Sequence, residues 1–204
     1  MVDDGILEGR YAGDCTLPPP REFKVLDWNI ERGLRLAGVI EVMEREQPYL
    51  CILQEVDLNA KRTRRRHVAD VLAARFQFNY VFGIEFEELC QGSGAEPAFH
   101  GQAILARGEI LAPRVLRFSQ QSDAWSPRWY VPRWGMFQRR HGGRMALVAE
   151  LSLGERRLVV YDLHLESRGD DDLRLWQLSE VVSDSFRYPP GTPLVVAGDF
   201  NTRI

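Results

Sequence analysis

The alternation of short apolar strands with amphipathic helices is the feature that most constrains the fold of this chain. The stretch EFKVLDWN alternates apolar and polar residues, which predicts a strand ending near Asn29. Apolar residues at helical spacing follow over residues 36–43, and Pro48 marks the end of that helix. The continuous apolar run YLCILQEV then predicts a strand covered on both faces. Strand, helix and strand in this order indicate an α/β protein.

Later segments continue the same mixture of elements. Apolar spacing predicts a second helix over residues 68–76, and three acids at 170–172 suit the start of a third helix that extends to residue 186. The GE dipeptide between two apolar runs predicts a hairpin. The further predicted strands are FNYVFGIEF, GQAILAR, residues 113–118, RMALVAELSL, RRLVVYDLHL and PLVVAGDF.

Length and composition predict one domain over residues 21–204, because 204 residues that are 45% hydrophobic can bury one sizeable core. Residues 1–20 carry acids and prolines where a signal peptide needs a basic start and an apolar run. We therefore expect a flexible N-terminal lead-in, with the prolines at 18–20 acting as a stiff spacer.

Cysteine usage and hydropathy bear on the compartment. Cys15, Cys51 and Cys90 form no CxxC pair and support neither a zinc site nor a disulfide framework. No apolar run approaches the ~20 residues that span a bilayer, so no transmembrane segment is expected. These features predict a cytoplasmic protein, and the net charge of −3 argues against a general nucleic-acid coat.

Two basic stretches stand out from this acidic background. KRTRRRH, at residues 61–67, is as often a solvated face as a functional surface. The second stretch, WSPRWYVPRWGMFQRRHGGR, interleaves aromatic residues with arginines, and suits either single-stranded nucleic acid or a membrane interface with anionic lipid. Candidate residues for a substrate rim within it are Trp125, Arg128, Trp129 and Trp134.

Polar residues cluster at the predicted strand ends, where ligand sites form in α/β sheets. They are Asn29, Glu31, Glu55, His164, Asp199 and Asn201. Apart from the histidine, these side chains offer mainly oxygen donors, which select Mg²⁺ or Mn²⁺ over Zn²⁺. Such an ion polarises a phosphoryl oxygen, and a second carboxylate near a water can act as a base.

The motifs LDWNIERG, LCILQEVD, GQAILAR, YDLHLES and VVAGDFN stand in the order and at about the spacing of the endonuclease/exonuclease/phosphatase superfamily. The chain resembles this superfamily from about Phe23 onward. The resemblance implies a four-layered α/β sandwich of two mixed β-sheets flanked by helices. It also implies Mg²⁺-dependent hydrolysis of phosphoester bonds, with Mn²⁺ as a possible substitute.

On the metal side, the resemblance implies that Glu55 is the principal ligand and that Asn29 and Glu31 assist it. A glutamate stands at position 31 where some members of the superfamily have aspartate. Glu85 and Glu87 either brace a catalytic histidine or face water, and we interpret both as facing water.

On the substrate side, the resemblance implies four roles. Asp199 would orient or deprotonate the attacking water, and Asn201 would hold the phosphate or the metal. His164 resembles the histidine that hydrogen-bonds a phosphate oxygen, and Arg144 resembles a phosphate-neutralising arginine.

The superfamily pattern ordinarily closes with an Asp and a His on strands that follow GDFN. This sequence has no histidine after His164, so we expect an incomplete second sheet and impaired hydrolysis. The alternative is a non-catalytic module that binds phosphoryl ligands or nucleic acid. Nucleic acid, a phospholipid headgroup and an inositol phosphate all remain open as the phosphoester substrate, and no obligate protein partner is implied.

Overall fold

The computed structural model describes residues 5–13, 20–125 and 139–202. Within these residues there are ten β-strands and three α-helices. In chain order they are β1 (Ile6–Arg10), β2 (Val25–Arg32), α1 (Leu36–Glu46), β3 (Leu50–Leu58), α2 (Val68–Phe76), β4 (Asn79–Glu88), β5 (Phe99–Ala106), β6 (Ile110–Arg117), β7 (Arg140–Gly142), β8 (Met145–Leu153), β9 (Arg156–His164), α3 (Asp171–Ser185) and β10 (Leu194–Asp199).

The strands form two sheets, each containing both parallel and antiparallel pairs. Sheet I has the order β1-β4-β5-β3-β2, and β7 pairs with β4 outside this path. Sheet II has the order β10-β9-β8-β6. Only β2 with β3 and β9 with β10 run parallel in the described pairings. The prediction of two mixed sheets is confirmed.

Sheet I separates two apolar layers because successive side chains of a strand point to opposite faces. In β3, Cys51 and Leu53 join the cluster that contains α1 and α2 residues. The alternate residues Leu50 and Ile52 face the other way and pack in the cluster between the sheets. Full burial of side chains of this size stabilises the fold by roughly 1.5–3 kcal/mol each.

Sheet II divides its side chains in the same way. In β8, Leu147 packs toward sheet I, whereas Val148 packs toward α3 and meets Val181 in the outer cluster. The order of layers is therefore helices, sheet I, sheet II and helix α3. This arrangement confirms the predicted α/β sandwich.

The three predicted helices and the β8–β9 hairpin are present in the structure. Helix α3 begins with Asp170 as its N-cap, whose carboxylate accepts a hydrogen bond of 2.9 Å from the Leu173 N–H. No helix in the described part of the chain is long and apolar enough to cross a membrane.

Strand β1 corrects the expectation of a flexible lead-in for residues 6–10, whereas residues 1–4 and 14–19 of that segment lie outside the described residues. Ile6–Arg10 pairs antiparallel with the first half of β4, and β7 continues along the second half of the same edge. A Cβ at Gly9 would lie 2.2 Å from the Tyr80 ring, so only glycine lets β1 approach this closely. The five residues ILEGR carry almost no apolar pattern. Backbone hydrogen bonds to the edge of sheet I hold this strand instead.

Candidate active site

The candidate site lies where the outer strands of the two sheets meet. Strand β2 is the last strand of sheet I, and β10 is the last strand of sheet II. Between them, the Asn29 side-chain amide donates a hydrogen bond of 2.9 Å to Asp199 Oδ2. Two residues separated by 170 positions in the sequence are thus in direct contact.

Glu55 lies on a bulge of β3 beside Asn29. The β3–β5 register shifts between Leu53 and Val56, and Glu55 has a φ of 51°. A bulge of this kind re-aims a side chain next to a functional site. The Glu55 side chain is 22% exposed, and its Oε2 lies 3.8 Å from the Arg32 guanidinium. Its neighbour Gln54 pairs in register with Asn29, so the Glu55 backbone lies one residue beyond the level of Asn29 on the adjacent strand.

Glu31 lies on a second bulge, between Asn29 and Arg32 in β2, and has a φ of 48°. Its backbone N–H donates a hydrogen bond of 3.1 Å to Asn29 Oδ1. The Glu31 side chain is exposed. Its predicted role as an assisting ligand stays a prediction.

Both oxygens of Asp199 accept hydrogen bonds. Oδ2 accepts from Asn29, and Oδ1 accepts from the Asn201 backbone N–H at 2.9 Å. The Asn201 side-chain amide donates to the Leu165 carbonyl at 2.9 Å, which ties the end of β10 to the end of β9. The orientation of the Asp199 carboxylate is therefore fixed.

His164 is buried between two carboxylates. It pairs in register with Asp199, and its Nε2 lies 3.9 Å from Asp199 Oδ2. On the other side of the ring, Nδ1 lies 3.5 Å from Glu85 Oε2. The sequence predicted His164 at this site, and the structure brings it to Asp199.

Glu85 overturns our interpretation that this residue faces water. It is 1% exposed, and its Oε1 accepts a hydrogen bond of 2.5 Å from Arg144 Nη1. Burial by itself opposes ionisation, but the positive charge of Arg144 and the contact with His164 outweigh it and hold the pKa of Glu85 below its ordinary value. The sequence offered one signal for this role, a glutamate inside the apolar strand FNYVFGIEF.

Arg144 is buried beside Glu85 rather than exposed at the surface. It is 4% exposed, it pairs with Glu85, and its second terminal nitrogen donates to Ser167 Oγ at 3.3 Å. Glu85 balances the guanidinium charge, and the predicted neutralisation of a substrate phosphate by Arg144 stays a prediction. Its guanidinium carbon lies 4.9 Å from the Trp125 ring centroid.

Trp125 is also buried, and its predicted place at the substrate rim is wrong. The residue is 5% exposed, and its indole N–H donates a hydrogen bond of 2.7 Å to Glu166 Oε2. The Trp125 ring packs against the Arg144 guanidinium. The other three rim candidates, Arg128, Trp129 and Trp134, lie outside the described residues.

A polar network that escaped the sequence analysis is buried at Gln54 and Asp162 and exposed at Asp27. The Gln54 side-chain amide donates to Asp27 Oδ1 at 3.0 Å and to Asp162 Oδ1 at 2.8 Å. Asp162 is fully buried, and burial, together with the charges of Asp27 and Glu85, raises its pKa well above the ordinary value. The available signal was an aspartate inside an otherwise apolar strand, as in LVVYDLHL.

The donor set suits a hard divalent cation. Among the described residues, no group of three or more His, Cys, Asp or Glu side chains is arranged to hold a metal ion. Magnesium bound to phosphoesters keeps several waters and takes only one or two protein carboxylates. The partly exposed Glu55 carboxylate and the Asn29 amide oxygen, on adjacent strands, are donors of this kind.

The described residues thus form a four-layered α/β sandwich with carboxylate, amide and imidazole groups at one end of its paired sheets. The profile of the Endonuclease/Exonuclease/phosphatase family matches residues 28–204. The chain belongs to this family. A search of curated protein sequences gives no match.

Solved structures share the fold at low identity. TDP2 from Caenorhabditis elegans is 21% identical with a TM-score of 0.57, covering 89% of this chain and 48% of its own. The human Nocturnin catalytic domain with bound sulfate is 18% identical with a TM-score of 0.62, covering 97% and 68%. TDP2 from D. rerio, complexed with a single-strand DNA product, is 18% identical with a TM-score of 0.55, covering 88% and 61%. The chain thus spans about half the length of the Caenorhabditis elegans protein.

Proposed function

We propose that this chain hydrolyses phosphoester bonds in a Mg²⁺-dependent reaction, with Mn²⁺ as a substitute. The observation that carries the proposal is the contact of Asp199 with both Asn29 and His164 at the junction of the two sheets. Family membership supports phosphoester hydrolysis as the general chemistry.

Glu55 and Asn29 would hold the metal, with Glu31 as a further exposed carboxylate near them. When bound, the ion neutralises charge on the phosphoryl oxygens and stabilises the leaving group. Arg32, whose guanidinium lies 3.8 Å from Glu55 Oε2, balances the carboxylate charge from the side of the bulge.

Asp199 is the proposed general base. Hydrogen bonds from Asn29 and Asn201 fix the direction of its carboxylate, so a water beside it is held in one orientation. The carboxylate accepts the proton of that water as the water attacks phosphorus.

His164 is the proposed donor to a phosphoryl oxygen. The Glu85 carboxylate lies on the Nδ1 side of the ring, which favours a proton at Nδ1 and leaves Nε2 directed toward Asp199 and the site. Arg144 holds Glu85 in place by a charge-assisted hydrogen bond. Glu85 and Arg144 are positioning residues in this scheme.

The burial of Arg144 disfavours the alternative of a non-catalytic phosphoryl-binding module. That alternative needs the guanidinium to reach a ligand, but it is 4% exposed and paired with Glu85. In the proposed hydrolase, the buried pair of Arg144 and Glu85 positions His164 and does not need to contact a ligand.

A nucleic-acid strand is the first substrate class to test. The loop after β3 exposes Lys61, Arg64 and Arg66, whose side chains make no salt bridge or hydrogen bond within the part of the chain that the structure describes. Arg62 anchors this loop through Asp57 with two hydrogen bonds of 2.7 Å. The single-strand DNA product bound by TDP2 from D. rerio supports the same choice.

The test compares hydrolysis of bis(p-nitrophenyl) phosphate and of an end-labelled single-stranded oligonucleotide, in Mg²⁺ and in EDTA. Asp199→Asn is expected to lower kcat by about 10²–10⁴-fold, because it removes the general base. Glu55→Gln is expected to weaken the response to Mg²⁺.

Glu150→Gln is the matched control, since Glu150 pairs with Arg157 near the β8–β9 hairpin, away from the site. Its activity should equal that of the wild type. Hydrolysis that persists in EDTA, or that survives both Asp199→Asn and Glu55→Gln, would contradict the proposed function.

A further inference from the structure

The Asp27 side chain crosses from sheet I to the backbone of sheet II. Its Oδ2 accepts a hydrogen bond of 3.0 Å from the Gly198 N–H. Gly198 directly precedes Asp199, so this bond acts on the peptide unit that leads into the proposed general base. No feature of the site motifs assigns a role to Asp27.

The Gly198 N–H is available because it points away from β9. Strand β10 pairs with β9 through alternate residues, as seen where the N–H groups of Val159 and Leu165 donate to the carbonyls of Pro193 and Asp199. Gly198 lies between such positions, and its N–H therefore faces the open edge of sheet II. Among the residues that the structure describes, Asp27 Oδ2 is the acceptor that this N–H meets.

Gln54 fixes the other oxygen of Asp27. Its side-chain amide donates to Asp27 Oδ1 at 3.0 Å, and the same nitrogen donates to Asp162 at 2.8 Å. Gln54 is 1% exposed, so it cannot turn freely. The Asp27 carboxylate is thus held by one partner in sheet I and aimed at one partner in sheet II.

We propose that Asp27 is a positioning residue that sets the location of Asp199 through the Gly198 backbone. The inference rests on the proposed function, since it assigns Asp27 a role in the same reaction. Asn29, two residues along β2, holds the Asp199 side chain, while Asp27 holds the adjacent peptide unit. The two bonds together fix both the position and the rotation of the carboxylate.

The proposal predicts an effect on kcat rather than on KM. Asp27 does not touch the substrate in this scheme, so its loss leaves ground-state binding largely intact. A displaced Asp199 no longer meets the attacking water correctly, and misplacement by about 1 Å costs roughly a hundredfold in rate. Asp27→Ala is expected to lower kcat by about that factor, with KM changed by less than about twofold.

A second readout needs no catalysis. Amide hydrogen exchange at Gly198 is expected to be slow in the wild type and faster by about tenfold in Asp27→Ala, because a charge-assisted hydrogen bond is lost. The Leu165 amide, which donates to the Asp199 carbonyl, should stay protected in both proteins. Asp27→Asn keeps one acceptor oxygen, so its Gly198 exchange rate is expected to lie between those of the wild type and Asp27→Ala. This variant replaces Asp27→Ala if the latter folds poorly.

Glu180→Ala is the matched control. The Glu180 carboxylate also accepts a hydrogen bond from a distant backbone N–H, that of Ser119 at 3.0 Å, but it does so on helix α3. This variant should expose the Ser119 amide to exchange and leave kcat unchanged.

The two proposals fail in different ways. If the wild type shows no metal-dependent hydrolysis, the proposed function fails, and the exchange rate at Gly198 still decides whether Asp27 holds this peptide unit. If Gly198 exchanges equally fast in the wild type and in Asp27→Ala, the inference is overturned. It is also overturned if Asp27→Ala retains the kcat of an active wild type.

Discussion

At the scale of single residues, the most unusual group is the buried carboxylate of Glu85. It contacts Arg144 on one oxygen and His164 on the other, and it is shielded from solvent. Breaking a buried ion pair leaves an uncompensated charge, which costs far more than the pair contributes. Glu85 therefore links stability to the orientation of the proposed catalytic histidine.

Glu85→Gln is expected to lower the free energy of unfolding at pH 7 by roughly 3 kcal/mol, since Arg144 loses its ionic partner. The pKa of Glu85 in the folded state lies below the ordinary 4.5, so the folded protein binds fewer protons than the unfolded chain. The stabilising contribution is complete above pH 4.5 and is lost as the pH falls below it.

Urea unfolding of wild type and Glu85→Gln at several pH values between 3 and 7 measures this difference. Glu87→Gln, two residues along the same strand, is the control and should unfold like the wild type at each pH. A gap between wild type and Glu85→Gln that stays constant below pH 4.5 would rule out the proposed ionisation.

At the scale of secondary-structure elements, the approach of β9 to β10 depends on Gly198. Its φ is 128°, and a Cβ there would lie 2.1 Å from the Leu163 carbonyl oxygen. No small movement relieves a clash with backbone. The strand that carries Asp199 can therefore pair with the strand that carries His164 only if this position is glycine.

Gly198→Ala is expected to destabilise the protein by about 1–3 kcal/mol and to reduce activity, because β10 must move away from β9. Thermal unfolding monitored by circular dichroism gives the stability, and kcat gives the displacement of Asp199. Gly191→Ala is the control that separates backbone strain from a steric clash. Gly191 also has a positive φ, of 87°, but a Cβ there meets nothing within 4 Å. Equal losses in the two variants would argue against the close approach as the cause.

Helix α3 depends on its N-cap. Asp170→Ala removes the hydrogen bond from the Leu173 N–H and is expected to lower the free energy of unfolding by about 1 kcal/mol. Urea unfolding measures this change. Asp172→Ala, in the first turn but not at the cap, should lower the free energy of unfolding by less. A larger loss in Asp172→Ala would show that negative charge, rather than the capping hydrogen bond, stabilises the start of α3.

At the scale of the whole molecule, the site joins the outer strands of the two sheets by hydrogen bonds, beside the apolar cluster between the sheets. Asn29 and Asp27 belong to sheet I, and Asp199 and Gly198 belong to sheet II. A cation held near Glu55 and Asn29 in sheet I is expected to stabilise the folded state, and the Asn29–Asp199 hydrogen bond connects this site to sheet II.

Mg²⁺ should raise the unfolding temperature of the wild type. The corresponding gain in the free energy of unfolding is about 2.7 kcal/mol when the Mg²⁺ concentration is a hundred times the Kd. Glu55→Gln should abolish most of this response, whereas Glu44→Gln, which affects a surface pair with Arg75, should retain it. Differential scanning fluorimetry over a Mg²⁺ titration measures the effect. An equal Mg²⁺ response in Glu55→Gln would remove Glu55 from the metal site.

The sequence by itself determined the helices and the long strands and indicated the candidate site residues. Apolar periodicity is a local property, so the three helices and the long strands of both sheets followed from spacing alone. The order of polar residues at strand ends indicated Asn29, Glu55, His164 and Asp199 as one group. Strand β1 did not follow, because an edge strand is held by backbone bonds that leave little trace in side-chain pattern.

Only the tertiary structure decided which polar residues are buried and which partners they meet. A glutamate in an apolar strand can face either water or a cation, and Arg144, directly before the distant strand β8, selected the second for Glu85. In the same way, Asp27 acquires its partner only when β10 of the other sheet arrives. The physical reason is that the free energy of a buried charge depends on partners that are distant in sequence, whereas strand and helix preferences depend on neighbours.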